Sequence, residues 1–209
     1  MKTICVLDYG IGNIRSVSNA LTALGAKPDI TRDPARIAAS DGMILPGVGA
    51  FPFGMELLRQ HGLVTEIHAH VRTGKPFLGI CLGMQLLFDK GTEFGQNDGL
   101  GLVPGVVDRI PVRPEEGRLP HIAWTGMVRN AALTDTMFAG LSDEQCRFYF
   151  VHSFTARDVP DEFVTGTASY LGHQVIAAVQ RGNVWGTQFH PEKSGPSGLA
   201  VLTNFIGQC

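Results

Sequence analysis

One stretch, Lys75–Asp89, constrains the fold of this 209-residue chain more than any other. It begins with an apolar run over 77–80, which indicates the end of a buried strand. The apolar residues within 84–88 have the spacing of one face of a short helix. A buried strand that turns sharply into a helix is typical of α/β folds, so the sequence predicts a fold of that class.

A cysteine, Cys81, stands at this turn between Gly79 and Gly83. A Gly-x-Cys-x-Gly sequence between a strand and a helix has the form of a nucleophile elbow, in which glycines make room for a strained reactive residue. The N-terminus of the following helix favours the thiolate, which is the nucleophilic form. The motif is short, and its alternative is a small cysteine packed in the core.

Composition limits the classes of function. A net charge of −2 and 44% hydrophobic residues give no bias towards nucleic acid. The N-terminal segment reaches Asp8 too soon for a signal peptide, and no apolar run approaches membrane-spanning length, so we expect a cytoplasmic enzyme. The four cysteines show no metal-ligand spacing. We therefore expect reduced thiols, no metal and no cofactor in one α/β domain over residues 1–209.

Apolar periodicity predicts the order of the elements. Strands are predicted at Thr3–Leu7, Lys27–Thr31, Gly42–Leu45 and Pro76–Ile80, with helices at Asn13–Leu24 and Val64–Arg72 and shorter helical pieces around Arg36 and Met55. Further strands are predicted at Leu102–Ile110, Ile122–Val128, Arg147–Phe154, Glu162–Tyr170, Gln174–Arg181 and Val184–Phe189, before a closing helix at Leu199–Ile206. This order predicts a mixed, mostly parallel central sheet flanked by helices, with additional antiparallel strands in the second half.

The glycine-containing loop that ends in Asn13 does not favour nucleotide binding. A dinucleotide fingerprint needs a third Gly or Ala where Arg15 stands, and no Walker lysine follows a glycine loop. The loop is instead predicted to be a plain strand-to-helix turn whose helix is capped by Asn13.

A nucleophilic cysteine needs a base and an acid that orients the base. His190 and Glu192 follow an apolar strand, and Pro191 favours extended backbone at His190. Side chains two residues apart in an extended chain point the same way, so Glu192 is expected to bind one ring nitrogen and leave the other for Cys81. The alternative is a solvated pair in a surface turn.

Donors for a developing oxyanion are predicted at a second glycine-rich turn. Gly47 and Val48 lie directly after a predicted strand, where glycines let backbone N–H groups turn towards a ligand. The N–H of Leu82 would be the second donor. Because glycines flank Val48 on both sides, we expect the 47–49 segment to be misoriented in the isolated chain, with a carbonyl and not an N–H group facing the oxyanion site. The alternative is a simple tight turn.

Three motifs, taken together, resemble those of the class I, triad-type glutamine amidotransferases. They are Pro-Gly-Val-Gly-Ala-Phe from position 46, Gly-Ile-Cys-Leu-Gly-Met-Gln from position 79 and Gln-Phe-His-Pro-Glu-Lys-Ser from position 188. Within that class, the segments 8–13, 118–124 and 149–153 resemble those of the glutaminase subunits of imidazole glycerol phosphate synthases. The resemblance covers essentially the whole chain.

The resemblance implies a glutamine amidotransferase type 1 domain over 1–209 that hydrolyses L-glutamine to L-glutamate and ammonia through a cysteine thioester. Ammonia would pass to a separate cyclase subunit, in a heterodimer that forms imidazole glycerol phosphate and aminoimidazole carboxamide ribotide in histidine biosynthesis. It implies a triad of Cys81, His190 and Glu192, with substrate contacts at Gly49, Gln85, Glu93, Ser153 and Phe154 and a partner interface at Asn13, Arg118, Trp124 and Lys193.

One segment departs from the family pattern. Where the family often has Gly-Trp-Asn, this chain has Ala123, Trp124 and Thr125. Thr cannot offer the paired donor and acceptor of an amide, which puts a partner contact at that position in doubt.

Three alternatives stay open at this point. The same glutaminase chemistry could supply another amidotransferase, because only the partner segments distinguish the two. A cysteine hydrolase or peptidase could use the same fold, although Gln85 and Glu93 speak against it. The third alternative is a non-enzymatic binding module with a vestigial triad.

Overall fold

The computed structural model describes residues 1–130 and 137–209. The strands are β1 Thr3–Leu7, β2 Lys27–Thr31, β3 Gly42–Gly47, β4 Phe77–Cys81, β5 Phe88–Gly91, β6 Asn97–Asp98, β7 Val103–Arg109, β8 His121–Arg129, β9 Arg147–His152, β10 Phe154–Arg157, β11 Val164–Tyr170, β12 His173–Arg181 and β13 Val184–Thr187. The α-helices are α1 Ile14–Ala23, α2 Pro34–Ala39, α3 Phe51–Gln60, α4 Leu63–Arg72, α5 Leu82–Gln85 and α6 Gly195–Gln208, and short 3-10 turns lie at Asp161–Phe163 and Pro191–Lys193.

The central sheet confirms the predicted α/β class. Within the described residues it has nine strands in the order β2-β1-β3-β4-β13-β12-β11-β8-β9. The pairs from β2 to β13 are parallel, whereas the pairs from β13 to β9 are antiparallel. A smaller four-stranded sheet has the order β10-β7-β5-β6. The change to antiparallel pairing in the second half therefore follows the change in the sequence pattern.

Four parallel strands, β1, β3, β4 and β13, are buried on both faces, which explains their apolar sequences, whereas the edge strand β2 is partly exposed. In β1, Ile4 and Val6 pack in a cluster with residues of α1 and α6, whereas Cys5 and Leu7 pack in a second cluster with residues of α3 and α4. Neighbouring side chains of a strand point to opposite faces, so this alternation places a helical layer on each side. Strands β3 and β4 lie inside this covered part of the sheet, away from its edges.

Two sequence predictions about individual elements are wrong. The helix after Cys81 is a single turn, and Phe88 lies in β5, where it pairs with Val103. The predicted strand 147–154 is broken at Ser153 into β9, which pairs with β8, and β10, which pairs with β7 in the smaller sheet. Both differences arise from pairings distant in sequence, which outweigh local periodicity.

No helix in the described parts of the chain is long and apolar enough to cross a membrane.

Candidate active site

Cys81 adopts a backbone conformation that non-glycine residues rarely adopt, with φ 56° and ψ −111°. The flanking glycines make this turn sterically feasible. A Cβ added at Gly83 would lie 1.8 Å from the Leu45 carbonyl oxygen, and one at Gly79 would lie 2.5 Å from the Gly83 carbonyl oxygen. No side chain fits in either place, because real Cβ atoms do not approach backbone so closely. The Gly-x-Cys-x-Gly pattern thus follows from the packing of β4 and α5 against β3.

The Cys81 thiol has few neighbours. Its Sγ lies 3.9 Å from the Val151 carbonyl oxygen, to which the thiol can donate, and 3.8 Å from Gln188 Nε2. The residue is 7% exposed, and that exposed surface lines a cavity. Since α5 is only one turn long, any effect on the thiolate comes from the N–H groups of that turn and not from a long helix.

His190 and Glu192 form a buried pair. Nδ1 of His190 lies 2.9 Å from Glu192 Oε1, with the two side chains only 2% and 0% exposed. The predicted reason for this contact is wrong in part: His190 is extended, but Glu192 lies in the 3-10 turn Pro191–Lys193. The turn folds the carboxylate back beneath the ring, so a two-residue spacing still brings the groups together.

Asn13 also contacts this pair. Its Nδ2 donates to Glu192 Oε1 at 3.0 Å. The predicted helix cap is therefore wrong, because the Asn13 side chain makes no capping hydrogen bond to α1 and points to the carboxylate instead. Two donors on one carboxylate oxygen fix the position of Glu192.

The protonation of His190 depends on opposing effects. Burial lowers the pKa of His190, but the neighbouring Cys81 and Glu192 outweigh burial and raise it to about 10. Nε2 of His190 makes no hydrogen bond of normal geometry among the described residues, so Cys81 acts on the ring as a close electrostatic neighbour. Catalytic hydrogen bonds are often long without substrate. The raised pKa means that the imidazolium retains the proton once the thiol has given it to Nε2.

Gly47 lies beside the nucleophile because β3 and β4 are parallel and in a register that pairs Gly47 with Cys81. Gly49 has φ +109°, a conformation that favours glycine. The fully buried Tyr9 donates its hydroxyl to the Pro46 carbonyl oxygen at 2.9 Å, directly before this segment. Tyr9 thus fixes one end of the 47–49 segment, whereas Val48 is 43% exposed at its centre.

A cavity of about 290 Å³ connects these groups. Its lining includes the following predicted site residues: Val48, Gly49, Cys81, Leu82, Gln85, Glu93, Ser153, Phe154 and His190. This volume suits a small molecule. One carboxylate oxygen of Glu93 accepts from the Phe51 N–H at 2.8 Å, which holds the acid at the cavity wall.

The residues predicted at a partner interface differ in how far they are exposed. Arg118 and Lys193 are exposed, Trp124 is 47% exposed, and Asn13 is partly buried against the triad acid. Thr125, where the family often has Asn, is hydrogen bonded to the buried His121, with Oγ1 and Nε2 2.8 Å apart. The departure at Thr125 therefore has an internal role.

Three residues of the site were not singled out from the sequence: Tyr9, Gln188 and His152. Gln188 precedes His190 by two positions, so the period of a strand could have indicated that it shares a face with the base. His152 lines the cavity and its Nδ1 lies 2.8 Å from the Phe154 carbonyl oxygen. No signal in the sequence separates His152 or Tyr9 from ordinary core residues of a strand and a loop.

No group of three or more His, Cys, Asp or Glu side chains that could hold a metal ion occurs in residues 1–130 or 137–209.

Comparisons with known proteins place the chain in a family. A family model described as glutamine amidotransferase class-I matches residues 5–209. The chain is 49% identical over 203 residues to a Lacticaseibacillus casei protein named imidazole glycerol phosphate synthase subunit HisH, covering 97% of this chain and 94% of that protein. A Bacillus cytotoxicus protein of the same name is 45% identical over 204 residues, covering 98% and 94%.

Among solved structures, PurLQS from Thermotoga maritima has a similar chain, with a TM-score of 0.73, 24% identity and 99% of each chain covered. At that identity the likeness shows the fold alone.

Proposed function

Because this chain belongs to the class I glutamine amidotransferase family, we propose that it is the glutaminase subunit of an imidazole glycerol phosphate synthase. Residues 1–209 would act as one glutaminase domain that converts L-glutamine to L-glutamate and ammonia. The observation that carries this proposal is the strained Cys81 at the wall of a small cavity beside the buried His190–Glu192 pair.

The proposed reaction begins with transfer of the thiol proton to Nε2 of His190. The thiolate then attacks the side-chain amide carbon of glutamine, and the amide oxygen becomes an oxyanion. Leu82 N–H and the 47–48 segment would donate to that oxyanion. Collapse of the intermediate expels ammonia, which takes its proton from His190, and leaves a glutamyl thioester on Cys81. Water, activated by His190, releases glutamate.

The triad acid would act through His190. Glu192 holds Nδ1 in place and stabilises the imidazolium that forms when the thiol proton is transferred. Asn13 donates to the same carboxylate oxygen, so it would help keep Glu192 in position.

Substrate recognition would use the other residues that line the cavity. Glu93 offers a carboxylate for the α-ammonium group of glutamine, and a carboxylate satisfies that charge better than a neutral group. Gln85, Gly49, Ser153 and Phe154 would supply the remaining polar contacts. Acyl transfer itself needs no acid at this position. Binding the ammonium group of a free amino acid would explain why Glu93 lines the cavity.

Ammonia released into water at neutral pH is mostly protonated and no longer nucleophilic, so a glutaminase that supplies nitrogen needs a protected path to its acceptor. We assign the acceptor to a cyclase subunit bound at the face that carries Trp124. Ile122, Trp124 and Val128 alternate along β8 and are 58%, 47% and 72% exposed, which gives this strand an apolar outer face. Arg118, Asn13 and Lys193 would complete the interface.

The test is glutamate release from glutamine by the purified chain, alone and with the cyclase subunit and its phosphoribosyl substrate. We expect stimulation of roughly tenfold or more, because the glycine-flanked Val48 segment is expected to need the partner for its active orientation. Full turnover by the chain alone would rule out that dependence. No glutamate release under either condition would overturn the proposed function.

A further inference from the structure

Two buried glutamines join the nucleophile to β10 through consecutive hydrogen bonds. Gln85 Nε2 lies 3.3 Å from the Phe154 carbonyl oxygen and 3.0 Å from Gln188 Oε1. Gln188 is fully buried, and its Nε2 lies 3.8 Å from Cys81 Sγ. The four groups form one chain from the wall of the cavity to the reactive sulfur.

The direction of these hydrogen bonds is fixed at the Phe154 carbonyl. A backbone carbonyl oxygen can only accept, so Gln85 must turn its NH₂ group towards it. The same NH₂ group then donates to Gln188, which must present its oxygen to Gln85. The NH₂ group of Gln188 is left facing Cys81. A reversed Gln188 amide would place two NH₂ groups against each other and is therefore excluded.

His152 is a second hydrogen-bond partner of the Phe154 carbonyl oxygen. Its Nδ1 lies 2.8 Å from the same Phe154 oxygen and donates to the second lone pair. Its Nε2 lies 3.0 Å from His121 Nδ1. The Phe154 carbonyl oxygen thus accepts from two donors, Gln85 and His152.

We propose that Gln188 is a positioning residue for Cys81, whose amide N–H donates to Sγ and favours the thiolate. A donor is bound more strongly by an anionic acceptor than by a neutral one, so this contact stabilises the thiolate over the thiol. The Val151 carbonyl has the opposite effect, because it can only accept a hydrogen bond from the S–H group and so favours the thiol. The functional meaning of this assignment rests on the proposed glutaminase function, since it is the thiolate that attacks glutamine.

The test is the pH dependence of Cys81 alkylation by iodoacetamide, followed by peptide mass analysis to separate Cys81 from the other cysteines. Gln188→Met keeps the length of the side chain and removes its N–H donor. The thiolate is the reacting form, so we expect the apparent pKa for Cys81 alkylation to rise by about one unit and the rate near neutrality to fall about tenfold.

Gln188→Glu is the second variant, because it preserves shape and places an anion against the sulfur. Gln188→Glu is expected to raise the apparent pKa by repelling the thiolate whether or not Gln188 donates, so it shows that the assay responds to charge at this position. Gln188→Met distinguishes the two roles, because packing alone predicts an unchanged profile and a donor role predicts the rise. Gln174→Leu, at an exposed glutamine, is the control and should leave the profile unchanged. An unchanged alkylation profile in folded Gln188→Met would overturn the proposal. Because alkylation needs no glutamine, this result is independent of whether the chain releases glutamate.

Discussion

The turn that carries Cys81 is packed closely against backbone. The space that a Cβ at Gly83 would need is occupied by the Leu45 carbonyl oxygen, which belongs to the neighbouring strand β3. Strand β3 continues from Leu45 into the 47–49 segment, which lines the cavity. The contact at Gly83 and the wall of the cavity therefore belong to the same stretch of backbone. A change in this contact would therefore move the proposed oxyanion donors.

Gly83→Ala is expected to destabilise the protein by about 3 kcal/mol or more, because the added methyl group cannot be accommodated without separating β3 from α5. Urea denaturation would measure the change in free energy of unfolding. Gly207→Ala is the matched control, since a Cβ there meets no atom within 4 Å and Gly207 lies in α6. Equal stability of the Gly83→Ala and Gly207→Ala proteins would contradict the close contact at Gly83.

Glu192→Gln should lower kcat for glutamate release by roughly 10²–10⁴-fold. The glutamine oxygen can still accept from His190 and Asn13, but without the negative charge it no longer stabilises the imidazolium or raises the pKa of His190. Steady-state kinetics with the partner present would measure kcat and KM separately. Glu115→Gln, at an exposed carboxylate, should leave kcat unchanged. A near-normal kcat in Glu192→Gln would show that the buried pair does not serve the reaction.

The inner parallel strands could be predicted from the sequence because each is a short apolar run that is buried on both faces. The short strands β5 and β6 could not, because they depend on pairing with each other and with β7 and carry no apolar pattern of their own. The break between β9 and β10 at Ser153 could not be predicted either, because aromatic and β-branched residues typical of a strand continue on both sides of it. Only the separation of β9 and β10 into different sheets reveals it.

The candidate site was predictable to the extent that its residues lie in short motifs. Cys81, His190 and Glu192 are each marked by glycine or proline neighbours, whose backbone preferences can be recognised in the sequence. Asn13 was misassigned because its partner, Glu192, lies far along the chain and a local cap was the simplest use for it. Gln188 needed the long-range contact with Gln85 before a role could be inferred.

Strand β8 is expected to contribute most to partner binding. Trp124 packs on Tyr149, with ring centroids 6.1 Å apart, and still exposes nearly half of its surface. Trp124→Ala should weaken binding of the cyclase subunit by about 2 kcal/mol, or roughly 30-fold in Kd. Calorimetric titration would measure this, with Ile30→Ala on the opposite edge strand as the control. Equal losses of affinity in both variants would argue against β8 as the interface.

For the molecule as a whole, buried histidines make stability depend on pH. Burial, together with the nearby His121 and His190, lowers the pKa of His152 from 6.5 to about 4. The unfolded chain therefore takes up this proton near pH 6.5, and the folded chain takes it up only near pH 4. The unfolded state binds more protons in that window, so the free energy of unfolding must fall as the pH is lowered through it.

The expected loss from His152 is about 3 kcal/mol across that window. His152→Asn retains a donor near the Nδ1 position but cannot titrate, so its free energy of unfolding should depend less steeply on pH. Urea denaturation of both proteins between pH 6.5 and about pH 4 would measure the difference in slope. His61→Asn removes an exposed histidine and serves as the control. Identical slopes for His152→Asn and the unmodified protein would contradict a buried, neutral His152.

The attack of Cys81 on glutamine is tested most directly by acid quenching of the chain during turnover with glutamine and the cyclase subunit, followed by mass analysis of its peptides. We predict a glutamyl adduct on the peptide that contains Cys81, and neither an adduct nor glutamate release in Cys81→Ala. Glutamate release by Cys81→Ala at the rate of the unmodified protein, or an adduct on another residue, would contradict Cys81 as the nucleophile.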